Sequence, residues 1–223
     1  MHFNRMLATA AAAALMLGSS LSAEARLITD HLGRQVDVPD QINRVVTTTI
    51  LPYASVATVF LGGAEKLVGI HPVSMSAAKS GLLSEIYPEI LKAKTDFIKG
   101  SNLNIEALMA LKPDVVFVNS GDKKMIEQIE NAGIPAVAVS ASKWDYDVLK
   151  TYDEWLALLG DVFPDHAKTD AAAAYSRQVA KTIADRTAKL TDAEKKKVLF
   201  VFQYDAKRLV TSGKHFFGQY WCD

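Results

Sequence analysis

The sequence predicts an α/β chain whose parallel sheet is covered by helices on both faces. Residues 104–139, NIEALMALKPDVVFVNSGDKKMIEQIENAGIPAVAV, run as capped helix, wholly apolar strand, amphipathic helix and second apolar strand. Strands with no polar alternation are buried on both sides, the condition of a parallel sheet between helices. Further on, two long helical patterns follow each other with no strand between them, so the alternation stops near residue 142.

Taken in order, the first residues read as a leader. MHFNR is a short basic flank, MLATAAAAALML an apolar run too short to span a bilayer, and Ala23-Glu24-Ala25 a small-residue cleavage site, giving a signal peptide over residues 1–25. No later run has spanning length and only one cysteine is present, so an exported, soluble chain without intramolecular disulfides is expected. LITDHLGRQVDV reads as a hairpin turning at Leu32-Gly33. RVVTTTI, residues 44–50, is a β-branched strand, followed by a helix from Pro52 to Leu61 closed by Gly62-Gly63 and by the strand LVGI, residues 67–70. Residues 26–142 thus make one α/β lobe.

Residues 143–192 read as a helical connection. In DVLKTYDEWLALLG the apolar residues Val148, Leu149, Tyr152, Trp155, Leu156 and Leu159 share one face. The next helix, Asp165 to Leu190, carries only a narrow stripe of Ala172, Tyr175, Val179 and Ile183. At 1.5 Å per residue it would be roughly 39 Å long, a strut across two bodies. KVLFVF (197–202) and RLVTS (208–212) are strands that need a covering layer, since a lone two-stranded ribbon is marginal in water. Residues 193–223 therefore read as the start of a second lobe. In TSGKHFFGQYWCD a turn at Gly213 opens a helix with Phe216, Phe217, Tyr220 and Trp221 on one face and Cys222 as a small apolar residue.

Composition narrows the function. With 49% hydrophobic and 22% charged residues the chain is globular, and 25 basic against 25 acidic residues leave no surplus charge for nucleic acid or anionic lipid. Glycine-rich phosphate loops are lacking. Ser76-Ala77-Ala78-Lys79 fits the S-x-x-K pattern of serine acyltransferases, with Thr211-Ser212-Gly213 a loose echo of K-T-G. Ser140 to Lys143 fits the same pattern without any S-D-N between, so the hydrolase reading stays an alternative and the chain is not expected to be an enzyme. A non-transporting interaction fragment is a third reading.

The segments ITDHLGRQVDVP, INRVV, NLNIEALMALKPDVVF, the long helix and KVLFVFQYDAKRLVTSGKHFFGQYW together resemble the periplasmic substrate-binding proteins of ABC importers for iron–siderophore complexes, haem or vitamin B12. The resemblance implies two α/β lobes joined by one rigid helix, a ligand in the cleft between them, and a monomer without a cofactor. The turn TSGK falls early in that family's second lobe, which implies that here this lobe is incomplete. Glu106 of Asn104-Ile105-Glu106 matches the glutamate that docks on the inner-membrane ABC permease; a glutamate in a first helical turn is also favoured by the helix dipole alone.

Ligands of open α/β sheets bind beyond the carboxyl ends of the strands. This nominates Thr48 to Tyr53, His71 to Ser74, Lys99-Gly100 and Asn119 to Gly121, with Tyr53, His71, Lys99 and Asn119 as candidate contacts. Tyr204, Arg208 and His215 would face them from the second lobe. Val73, Ile98 and Val118-Asn119 stand where the B12-binding members place aromatics, which argues against cobalamin. An iron–siderophore or related metal chelate is the expected ligand, with Lys99, Tyr53 and Arg208 offering donors to an anionic chelate. A metal held directly by His71 is the lesser reading, because a closed metal site needs three or four ligands.

Overall fold

A computed structural model describes residues 25–48, 51–164, 169–196, 199, 201–204, 206–207 and 209–211, and the structural statements below concern these. The expected leader, Arg208, His215 and the aromatic run to Cys222 lie outside them.

The described residues open with an antiparallel hairpin, β1 (Ala25–Thr29) and β2 (Gln35–Pro39), as its alternating pattern predicts. Its turn closes at Gly33, whose φ of +77° suits glycine. A four-stranded parallel sheet follows, built from β3 (Val45–Thr47), β4 (Leu67–Ile70), β7 (Val115–Asn119) and β8 (Ala136–Val139) in the order β4-β3-β7-β8. Alternate side chains of each strand enter two separate cores. Val45, Val115, Phe117, Val137 and Val139 face one, and Val46, Val116, Val118, Ala136 and Ala138 the other. Burial on both sides is why these strands are apolar throughout.

The first core is covered by the hairpin, by α1 (Tyr53–Leu61) and by α6 (Val148–Val162). The second lies under α4 (Ile105–Ala110) and α5 (Lys123–Asn131), which buries Met125, Ile126 and Ile129. Side-chain oxygens start three of these helices, as their sequences foretell. Asn104 accepts from Ala107 N at 3.1 Å, Asp122 from Met125 N at 3.1 Å and Asp147 from Lys150 N at 2.9 Å.

Residues 71–103, to which the sequence pattern assigns no elements, hold α2 (Pro72–Ser80), α3 (Leu83–Ile86), a 3₁₀ turn at Pro88–Lys92, and a two-residue pair, β5 (Ile98–Lys99) and β6 (Asn102–Leu103). Lys94 bonds along the outer side of β4, donating to Val68 O and accepting from Ile70 N, so part of this sheet edge is occupied.

Past β8 the texture changes as predicted. α6 buries Trp155, Leu156, Leu158, Leu159 and Val162, whereas Val148, expected on its inner face, is 44% exposed. The described part of the next helix, α7 (Thr169–Thr187), spans 19 residues, roughly 28 Å, and ends before Leu190; residues 165–168 of the expected helix lie outside the described residues. Tyr175, Val179 and Ile183 of its stripe are exposed. β9 (Val201–Tyr204) and β10 (Leu209–Thr211) pair antiparallel as a two-stranded ribbon. Among the described residues, no helix is long and apolar enough to cross a membrane.

Candidate functional site

The crossover from β3 leads through α1 to β4 on one side, and the next leads from β4 past β3 to β7 on the other. Neighbouring strands β3 and β7 are therefore the switch point of the sheet, where the loops beyond their carboxyl ends diverge and leave a crevice. Four loops meet along this edge, those after β3, β4, β7 and β8.

After β3, Thr48 stays tied to β7, donating from both N and Oγ1 to Phe117 O at 3.0 and 3.2 Å. The chain then enters α1 through a cis peptide before Pro52. Among the described residues no side chain caps α1, so the N–H groups of Tyr53 and Ala54 have no side-chain acceptor there at the edge. Leu51, in the loop, is 45% exposed.

Tyr53 does not line the crevice. Its side chain is fully buried between Phe117, with ring centroids 5.2 Å apart, and Trp155, at 5.3 Å edge to face. The first residue of a helix can project outward or back against the sheet, and here aromatic packing takes it inward. Burial pushes its hydroxyl well above the usual tyrosine range. Among the described residues the hydroxyls of Tyr53, Thr47 and Ser74 are buried without a partner; they sit on the start of α1, the end of β3 and the first turn of α2. Such groups are costly to leave unmade, and Thr151 Oγ1 on α6 is in the same position.

His71, after β4, is 4% exposed and caps α2. Its Nδ1 accepts from Val73 N at 3.1 Å and its Nε2 lies 3.2 Å from Gly100 O. Since Nδ1 accepts, Nε2 carries the proton and donates to that carbonyl. Both ring nitrogens are thereby used, which leaves no lone pair for a metal. The ring instead pins the turn between β5 and β6 onto the start of α2. Lys99 stands exposed in that turn, beside Gly100. Asn119 ends β7 exposed, its Oδ1 accepting from Gly121 N at 2.9 Å in the turn that leads to α5.

The structure thus brings the loops carrying His71, Lys99 and Asn119 to the carboxyl edge. Tyr204 lies elsewhere, 81% exposed on β9, and Arg208 and His215 are outside the described residues. Glu106 is exposed in the first turn of α4, the position its neighbours predict. Ser76 and Lys79 are both exposed on α2, unlike the sheltered, base-activated nucleophile an acyltransferase needs. A surface hollow of about 350 Å³ opens at the other end of the sheet between Arg44, Glu65, Glu89, Lys92 and Lys94. It faces away from the crevice and is lined by cations and carboxylates together.

Sequence reasoning missed one cluster altogether. Asp30, with its side chain fully buried, accepts from Leu32 N, Arg34 N and Ala138 N, and Arg34 reaches it through Nε at 2.9 Å and Nη2 at 2.6 Å. Arg34 also contacts Glu130 on α5 and the carbonyl of Ala136. This locks the hairpin to β8. The run Asp30-His31-Leu32-Gly33-Arg34, with opposite charges four residues apart across a turn, is the signal that could have revealed it.

A family model described as periplasmic binding protein matches residues 49–220. The chain belongs to the periplasmic binding protein family. The fold of a solute-binding protein from Veillonella parvula superposes with a TM-score of 0.70 at 25% identity, covering 80% of this chain and 52% of that one. The molybdate-binding protein MolA of Haemophilus influenzae is 38% identical over 133 residues, 57% of this chain and 36% of MolA. The solved MolA with molybdate superposes with a TM-score of 0.63 at 30% identity, covering 76% of this chain and 56% of that one. An uncharacterized ABC transporter substrate-binding lipoprotein of Bacillus subtilis, YvrC, is 23% identical over 85% of this chain and 56% of its own length. The chain thus spans about a third to a little over half of these relatives.

Proposed function

We propose that this periplasmic binding protein is the solute-capturing component of an ABC importer, that it works in the periplasm, and that its ligand is a compact oxyanion of the molybdate class. The observation that carries the reading is the switch point between β3 and β7, flanked by the start of α1, which no described side chain caps. An oxyanion is bound by N–H donors and local positive potential and needs no wide aromatic platform. MolA supports this ligand class, and the exposed Leu51 and Val73 offer nothing that would stack on a macrocycle. Lys99, on the adjoining turn, supplies a mobile cation to the same edge.

The chelate expected from the resemblance is the competing ligand, and Lys99 suits an anionic chelate equally. Calorimetric titration of the chain with sodium molybdate, tungstate, sulfate, a ferric hydroxamate and haemin distinguishes them. Saturable binding of molybdate or tungstate alone supports the oxyanion. Binding of the ferric hydroxamate alone overturns it.

Delivery rests on the same proposal: Glu106, exposed at the head of α4, is the docking contact to the permease. Its carboxylate makes no hydrogen bond or ion pair among the described residues, so it is free to engage an arginine across an interface. Glu106→Gln is expected to leave ligand affinity unchanged and to abolish ligand-stimulated ATP hydrolysis by the reconstituted importer; unaltered stimulation removes the docking role.

A further inference from the structure

The hairpin turn carries a second buried side chain that neither ligand capture nor docking uses. His31 is 8% exposed and lies where three elements meet: the β1–β2 turn, the carboxyl end of β8 and the root of α6. Its own N–H donates to Ala138 O at 3.1 Å. Its Nδ1 accepts from Ser140 N at 3.0 Å, and its Nε2 lies 3.3 Å from Glu154 O in α6. Trp144 stands edge-on to the ring with centroids 4.9 Å apart.

Ser140 is itself held on every side. Its carbonyl accepts from Trp155 Nε1 at 2.7 Å, and its Oγ accepts from the N–H groups of Ser142 and Lys143. His31 therefore supplies the last bond that fixes the loop after β8, and through Glu154 it ties that loop to the helix on which α7 packs. One imidazole links an edge loop of the crevice to the helical connection.

This link has a chemical weak point. The Ser140 bond needs an unprotonated Nδ1, and an imidazolium has no acceptor to offer. We propose that His31 is a proton-sensitive joint, which holds the loop after β8 to the root of α6 when neutral and, when it takes up a proton, lets go of Ser140 N while keeping its Nε2 bond to Glu154 O. The proposal is independent of which ligand the crevice holds.

The charged groups around the ring set the balance. From the hairpin, Asp30 favours the cation, but its carboxylate is already engaged by Arg34. From the loop, Lys143 opposes it. From α6, Glu154 favours it through both its carbonyl and its charge, with the carboxylate paired to Lys150. Burial outweighs these and lowers the affinity of the ring for a proton. A histidine shifted downward contributes stability that is whole above its unfolded value, about 6.5, and is lost as pH falls through the folded value. The joint is therefore closed at neutral pH and opens in acid, a range a periplasmic protein can meet when its surroundings acidify.

Amide hydrogen exchange on the 223-residue chain, followed by NMR between pH ~8 and ~5 and corrected for intrinsic rates, tests the joint. The expected result is a fall in protection of about tenfold or more at Ser140 N, following the His31 ring-nitrogen titration, while α6, β3 and β7 stay protected. His31→Asn retains an acceptor near the Nδ1 position and cannot titrate, so its protection should be flat over the same range. Ring titration without any change at Ser140 overturns the proposal on the native chain alone. So does an unchanged acid response in the Asn variant.

Discussion

The sheet of the lobe and the ribbon after α7 are made of similar residues and differ in what covers them. Val115, Val116 and Phe117 of β7 have no exposed surface, whereas Tyr204 and Leu209 of the ribbon are 81% and 58% exposed. Both stretches read as strands in sequence, because apolar and β-branched residues signal an extended chain whether or not a layer lies over it. The contrast teaches that the strand signal and burial are separate outcomes: α1, α4, α5 and α6 cover β7 and β8, and among the described residues the ribbon pairs only with its own partner strand. Stability should accordingly be concentrated between residues 25 and 163.

The widest break in that comparison comes from matched truncations. Phe117→Ala empties the space between Tyr53 and Phe163 and should cost about 3–5 kcal/mol, the range for a buried aromatic. Leu209→Ala should change stability by less than about 0.5 kcal/mol. Urea unfolding monitored by the fluorescence of Trp155, which packs on Tyr53, measures both. Equal effects would mean that the ribbon belongs to the same cooperative core.

The hairpin lock comes next. Arg34→Ala strips the buried Asp30 carboxylate of its charged partner while its three backbone donors remain, so a loss of about 1.5–3 kcal/mol is expected, as for a charge-assisted bond. Arg34→Lys should recover only part, since an ammonium cannot reproduce the paired donation from Nε and Nη2. Full recovery would show that charge alone matters there.

A smaller effect belongs to Gly133, which closes α5 with φ +75°, donating to Glu130 O at 2.8 Å. Gly133→Ala has open space for a methyl group, so the expected cost of about 1 kcal/mol is conformational alone. A neutral result in the same urea assay would place the end of α5 outside the region that governs stability.

These elements also show how far the sequence could be read. The hairpin, β3, α1, β4, α5, β7 and β8 were legible because each is long enough for periodicity or has a capping residue or glycine at its end. α2 was not, because its start is set by His71 and Pro72, and a histidine cap does not stand out as Ser or Asp would. β5 and β6 are two residues each, too short for any period, and depend on the His71 contact to Gly100. The carboxyl edge that gathers the loops after β3, β4, β7 and β8 was legible from the strand–helix order. Side-chain direction was not: Tyr53 was nominated by its place in the chain and turns into the core, where only the tertiary contacts with Phe117 and Trp155 could put it. His31 was passed over because its partners, Ser140 and Glu154, are more than a hundred residues away.

The smallest expected effect lies at the border between the two regions. α7 packs on α6, and Arg177 Nη1 donates to Asp153 Oδ2 at 2.8 Å across them. The guanidinium is 57% exposed, so water and salt screen most of its attraction. Arg177→Ala should therefore cost less than about 1 kcal/mol, and the difference from the native chain should shrink as salt is raised to about 1 M. Asp153 gives this variant its sharper use: its Oδ1 is buried without a partner among the described residues, so losing Arg177 leaves the whole carboxylate unpaired. If α7 is only tacked onto the lobe, the carboxylate can swing into water and the cost stays small. A larger, salt-independent loss would mean that the α6–α7 contact is a true interior, and the boundary between the stable lobe and its exposed continuation would have to be moved past α7.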